Sequence, residues 1–190
     1  MKTGLFFGSF NPIHVGHLII ANFMATQTDL DEVWIVVSPQ NPHKERASLA
    51  NDYDRLLLVR IAIEDNPNLS ASKIEFGLPK PSYTIDTLTY LKEKYPKKDF
   101  VLIMGSDNLG SLHKWKNYEK LLEENQIYVY RRPDYEEGDL AKHQAVSIFE
   151  APLMNISASY IRSCIKQGHS IQYLVSPPVY DHLDSSTMYK

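Results

Sequence analysis

Ten residues near the N-terminus, Gly8-Ser9-Phe10-Asn11-Pro12-Ile13-His14-Val15-Gly16-His17, have the types and spacing that handling a phosphate requires. They lie between an apolar run, Leu5 to Phe7, and a helical pattern marked by Leu18, Ile19, Ala21, Asn22 and Phe23, so they form a strand-to-helix turn. A helix N-terminus presents N–H groups with no partner inside the helix and a partial positive charge; both favour an anion. Gly8 permits a tight turn and a close approach of backbone to ligand, and Pro12 fixes the entry to the helix. His14 and His17 stand three residues apart and project from one helical face. Two imidazoles at the mouth of an anion site suit nucleotide phosphate chemistry. Two other arrangements use the same residues. One is a glycine turn with two helix-capping histidines. The other is a zinc site, although no cysteine or third ligand cluster accompanies the pair.

A second group of similar character runs from Ile156 through Ser157, Ala158, Ser159, Tyr160 and Ile161 to Arg162. Ser157 can cap the following helix, whose first turns carry Arg162. Hydroxyls, free N–H groups and a planar guanidinium make another phosphate-binding unit. A capped amphipathic helix with a surface arginine would read the same way.

The elements that must position these groups alternate along the chain. Strand candidates are Thr3–Phe7, Val33–Ser38, Leu69–Phe76, Phe100–Met104, Ile127–Arg131 and Val146–Phe149. The runs at 33–37 and 101–104 are continuously apolar, as strands covered on both faces are. Between them lie helical stripes: Leu56, Val59 and Ile63 after a cap at Asn51 or Asp52; Ile85, Leu88 and Leu91 after Thr84; Tyr118, Leu121 and Leu122; and 157–166, stopped by Gly168. This alternation predicts right-handed crossovers and a single doubly wound, mostly parallel α/β sheet with helices on both faces. Ligands of such sheets bind beyond the carboxyl ends of the strands, where the motifs fall. The irregular polar stretch Pro39–Ala50, with His43 and Lys44, is long enough to predict a functional or mobile loop.

A chain of 190 residues with 43% apolar and 23% charged residues fits one globular domain, 1–190, with the helical part from about 157 to 190 packed on it. A net charge of −3 argues against a general nucleic-acid binder. The single cysteine, Cys164, excludes an intrachain disulfide and suits a reducing cytoplasm, where a buried inert thiol is expected. No signal-peptide pattern opens the sequence, and no apolar run approaches the roughly 20 residues that span a bilayer.

The N-terminal decapeptide resembles the HxGH motif of the nucleotidyltransferase superfamily, G-[ST]-F-[DN]-P-x-H-x-G-H, at all eight specified positions. The 156–162 segment resembles the superfamily's ISSTxIR motif, with Ala158 at the second small position and Ser159 keeping a hydroxyl. Ser38-Pro39-Gln40-Asn41-Pro42-His43-Lys44, Ser82 to Leu88, and Gly105 to Leu109 with Trp115 resemble the bacterial nicotinate-nucleotide adenylyltransferases. Asn41 departs from the usual Pro-Pro-His-Lys run of that family. The resemblance covers about 1–165. It implies a Rossmann-like nucleotidyltransferase domain that joins ATP, with magnesium, to nicotinate mononucleotide, giving deamido-NAD and pyrophosphate. It implies catalytic roles for His14, His17 and Arg162. Gly8, Ser9, Phe10, Gly105, Asp107, Ser157 and Ser159 would complete the ATP site, with Asp107 on the ribose hydroxyls. His43, Lys44, Thr84 and Trp115 would hold the mononucleotide, with Trp115 stacking on its ring and Thr84 facing its carboxylate. Plainer roles compete: a helix cap for Asp107 and Thr84, a core tryptophan, a solvated loop for 43–44. No resident metal ligand, nucleic acid or membrane partner is implied, and a homo-oligomer is left open. Two other readings use the same motifs: a phosphopantetheine adenylyltransferase-like enzyme, disfavoured by His14 and the 82–88 segment, and a regulator that binds nucleotide without catalysis.

Overall fold

The computed structural model describes residues 1–39, 49–133, 135 and 138–190. Six strands form one sheet in the order β3-β2-β1-β4-β5-β6: β1 Lys2–Gly8, β2 Glu32–Val37, β3 Leu69–Ser72, β4 Asp99–Gly105, β5 Gln126–Tyr130 and β6 Val146–Phe149. Every neighbouring pair is parallel, so the expected "mostly parallel" sheet is wholly parallel among the described residues. The third strand is shorter than the 69–76 run predicted. It ends at Ser72, and Ile74–Gly77 winds into a 3-10 turn that buries the Glu75 side chain instead of extending an edge strand.

Among the described residues seven helices connect and follow the strands: α1 Val15–Gln27, α2 Asp52–Ala62, α3 Thr84–Lys94, α4 Ser106–Ser111, α5 Tyr118–Glu124, α6 Ala158–Lys166 and α7 Pro177–Ser185. Alternation along a strand sends side chains to opposite faces. Phe6, Val101 and Ile103 enter an apolar layer shared with Ile20, Leu56, Ile161, Val179 and Leu183, from α1, α2, α6 and α7. Leu5 and Leu102 enter a second layer with Leu88, Leu109 and Leu121, from α3, α4 and α5. Burial on both faces explains the continuous apolar runs of β2 and β4.

The C-terminal helices share the first layer, and the Val15 N–H donates to the Leu174 carbonyl at 3.1 Å. The chain runs from β1 through β2 to β3 on one side, then crosses over to β4 on the other side of β1. The carboxyl ends of β1 and β4, Gly8 and Gly105, therefore flank the switch-point crevice of a Rossmann-like sheet.

Candidate active site

The β1–α1 turn is packed from beneath. Phe10 takes a left-handed backbone (φ 44°), and its ring, 2% exposed, stands edge-on to Phe6 and to His17. A Cβ on Gly8 would approach that ring at 2.7 Å, so glycine here makes room for Phe10. The Phe10 ring therefore does not line the crevice: it props His17, and any nucleotide contact from this residue runs through its backbone.

His14 is the extended N-cap of α1, not its first turn, and His17 is the third helical residue. The two rings nevertheless stack, with centroids 3.6 Å apart. The His14 N–H donates to His17 Nδ1 at 3.3 Å. Cap geometry, rather than shared helical phase, brings the imidazoles together. Burial lowers the His14 pKa to about 4, so this ring is neutral near neutral pH. Its buried Nδ1 has no hydrogen-bond partner among the described residues.

Asn11 joins this turn to distant segments. Its Oδ1 accepts from the Ala50 N–H at 3.1 Å and from the Tyr189 hydroxyl at 2.7 Å. Its carbonyl accepts from Arg162 Nη1 at 2.7 Å, while Arg162 Nη2 donates to Ser159 Oγ at 3.2 Å. Burial pushes the Tyr189 phenol up, so it remains a donor. Ser157 caps α6 by accepting from the Tyr160 N–H at 3.1 Å, which leaves its own hydroxyl proton to donate. The structure thus brings His14, His17, Ser159 and Arg162 to one crevice edge.

Arg55, on α2, was not singled out in the sequence. Its guanidinium is fully buried and holds four carbonyls: Ser9, Ser38 (3.0 Å), Pro39 (3.5 Å) and Ala50 (3.0 Å). Asp52 pairs with it at 2.7 Å. Burial lowers its pKa and the Asp52 carboxylate opposes that shift. An arginine beside Leu56 on a helix reads as a solvated face. Only the tertiary fold reveals that it pins the β1 and β2 ends together.

At the end of β4, Asp107 lies in the first turn of α4 and not at its N-cap, which is Gly105. A Cβ on Gly105 would collide with Asp107 Oδ1 and meet the Tyr130 ring at 3.0 Å, so only glycine admits this carboxylate. Arg132 holds Oδ2 at 3.0 Å, while the buried Oδ1 has no partner among the described residues. Burial and the neighbouring carboxylate push the Tyr130 phenol up to about 12.

On the other side of the crevice Thr84 opens α3, as expected, with Tyr83 as N-cap and no side-chain cap bond. Trp115 is half-buried and packs against the second apolar layer, so its core role is real whatever else its ring touches. Lys116 ties the two segments: it pairs with Asp86 at 2.8 Å and lies 4.8 Å over the Tyr83 ring. His43 and Lys44 lie outside the described residues.

Among the described residues no three His, Cys, Asp or Glu side chains gather into a metal site, and no helix is long and apolar enough to cross a membrane. Cys164 is buried.

A family model described as cytidylyltransferase-like matches residues 5–164. A relative from Cytophaga hutchinsonii is 57% identical over all of this chain and 98% of its own, and one from Flavobacterium psychrophilum is 53% identical over the full length of both. Each bears the name "probable nicotinate-nucleotide adenylyltransferase". The chain belongs to the nicotinate-nucleotide adenylyltransferase family. The fold agrees: a solved structure of Plasmodium falciparum nicotinic acid mononucleotide adenylyltransferase, complexed with NaAD, superposes with a TM-score of 0.83 at 21% identity, covering 99% of this chain and 97% of that one. Within this family the crevice between Gly8 and Gly105 is the candidate active site.

Proposed function

We propose that this enzyme transfers the adenylyl group of ATP to nicotinate mononucleotide, releasing pyrophosphate and forming deamido-NAD. The observation that carries the reading is the stacked His14–His17 pair at the start of α1, with Arg162 tied to Asn11 beside it.

The nucleophile is a phosphate oxygen of the mononucleotide, already anionic near neutral pH, so no protein base is needed. A new P–O bond forms at the α-phosphorus of ATP as the bond to the bridging oxygen breaks, and pyrophosphate leaves with that electron pair. The residues act by alignment and by neutralising charge on the α-phosphate and leaving group. His14, neutral when free, offers a hydrogen bond. The His17 ring, half-buried and propped by Phe10, and the α1 N–H groups add donors. Arg162 brings a fixed positive charge, and Ser157 and Ser159 bring hydroxyls. Asp107 Oδ1, oriented by Arg132, is an acceptor suited to ribose hydroxyls. ATP enters as its magnesium complex, with the ion carried by phosphate oxygens and water.

Thr84 and the N-terminus of α3, with Lys116 nearby, form the side suited to a pyridine carboxylate, and Trp115 offers a ring to stack on it. The enzyme works as one domain over 1–190, in the cytoplasm, with small molecules as its partners. Its oligomeric state does not enter the mechanism.

Pyrophosphate release with ATP, magnesium and nicotinate mononucleotide tests the reading, with phosphopantetheine as the competing acceptor. The carboxylate should be preferred over the amide, nicotinamide mononucleotide, by at least about tenfold in kcat/KM, because the amide sets donor against donor in a desolvated site. Equal values would overturn the pocket assignment and leave adenylyl transfer standing.

A further inference from the structure

The Glu75 carboxyl is buried, 3% exposed, and among the described residues no cation is bonded to it. Its partners are hydroxyls from three segments. Thr87 of α3 donates to Oε1 at 2.9 Å, and the neighbouring Ser38 and Ser82 side chains favour its charged form. Desolvation pushes its pKa up, partly offset by these bonds. A buried carboxyl whose described neighbours are hydroxyls is costly to keep and contributes little to stability compared with an apolar residue of similar size. Its placement is therefore informative.

Ser38 follows β2, and its N–H donates to the Gly8 carbonyl at 2.9 Å. Its own carbonyl accepts from Arg55. Ser82 and Thr87 flank the start of α3, two residues before and three residues after Thr84. Glu75 thus links the phosphate-binding β1 turn, through Ser38, to the helix start assigned above to the pyridine carboxylate.

We propose that Glu75 is a positioning residue for the mononucleotide: by clamping Ser38, Ser82 and Thr87 it fixes the distance between the phosphate end and the pyridine end of the pocket. It acts through those three residues and touches no substrate. The inference rests on the pocket assignment given under the proposed function. Without the clamp, the α3 start keeps its helix but loses its register to the β1 turn. The substrate that spans both, nicotinate mononucleotide, then suffers, while ATP at the β1–β4 side does not.

The test is steady-state kinetics of Glu75→Ala, Glu75→Gln and Thr87→Val in the full chain, varying each substrate at saturation of the other. Glu75→Ala should raise KM for nicotinate mononucleotide about tenfold or more, the equivalent of one buried hydrogen bond left unmade. KM for ATP should stay within about twofold. Glu75→Gln, which keeps an acceptor oxygen and similar volume, should recover most of the loss. Thr87→Val, which removes one donor without changing shape, should shift the same constant in the same direction even if Glu75→Ala does not fold. Equal changes in both KM values, a loss confined to kcat, or no recovery with glutamine would overturn the positioning role while the wild type still turns over the mononucleotide. A wild-type chain that does not use nicotinate mononucleotide would overturn this inference and the proposed function together.

Discussion

The two sides of the crevice are built differently. On the phosphate side, His14 and Asn11 are buried and Arg55 is fully so, and hydrogen bonds tie the β1 turn to β2, α2, α6 and the C-terminal segment. On the pyridine side, Thr84 and Trp115 are half-buried, and the tie between their segments is Lys116 with Asp86, side chains about half exposed. The residues proposed to align two phosphates sit on an over-determined frame. The residues proposed to recognise the ring sit on segments whose apolar faces are packed in the second layer but whose polar ties at the surface are water-screened, with the buried Glu75 beneath them.

The largest way to break that contrast is Arg55→Met. It leaves Asp52 with only the more distant Lys80 at 3.4 Å and the four carbonyls without their guanidinium donor, so stability should fall by about 3–5 kcal/mol. Thermal or denaturant unfolding checks it; a loss below 1 kcal/mol would mean the phosphate side is not held from beneath. His17→Ala should leave unfolding nearly unchanged but lower kcat by ~10²–10³-fold, the typical result of removing one preorganised donor. Near-normal turnover would remove His17 from the phosphate site.

His14 sharpens the contrast through pH. Its folded pKa is lowered from 6.5 to about 4 by burial, so the unfolded chain binds a proton that the folded chain refuses. Stability from the neutral ring is whole above pH 6.5 and is lost as pH falls toward 4, roughly 3 kcal/mol in all. Wild-type Tm should therefore drop more steeply over that window than the Tm of His14→Gln. Parallel curves would show that the ring is not desolvated.

The smallest effect belongs to the pyridine side. Lys116→Met should change stability by less than about 1 kcal/mol, and the difference should vanish in high salt. A larger, salt-insensitive loss would make the two sides alike.

Strand positions, the α3 start, the β1–α1 turn and the Ser157-capped α6 were legible because each depends on local pattern: apolar runs, a cap, a glycine turn. The end of β3 was not, because Ile74 to Phe76 looks extended by composition while burial of Glu75 dictates a turn. The pairing of His14 with His17 was anticipated, but from helical spacing, whereas an extended cap produces it. Phe10 read as part of the nucleotide site because its neighbours do, yet its backbone turns the ring inward. Arg55, Glu75 and Arg132 carried no sequence signal. Each is an ordinary charged residue until distant backbone or hydroxyl groups converge on it.

The bonds that meet at Asn11 cross sequence separations of 39, 151 and 178 residues. Contacts of such span carry the greatest loop-closure entropy and form late in folding. The candidate phosphate site is therefore a product of global folding and not of any local unit. A fragment ending before α6 can carry both histidines and all six strands, yet it has neither the Arg162 nor the Tyr189 bond to Asn11. Activity should also disappear on heating together with the cooperative transition of the whole chain, because no foldon smaller than the domain contains all the ties at Asn11.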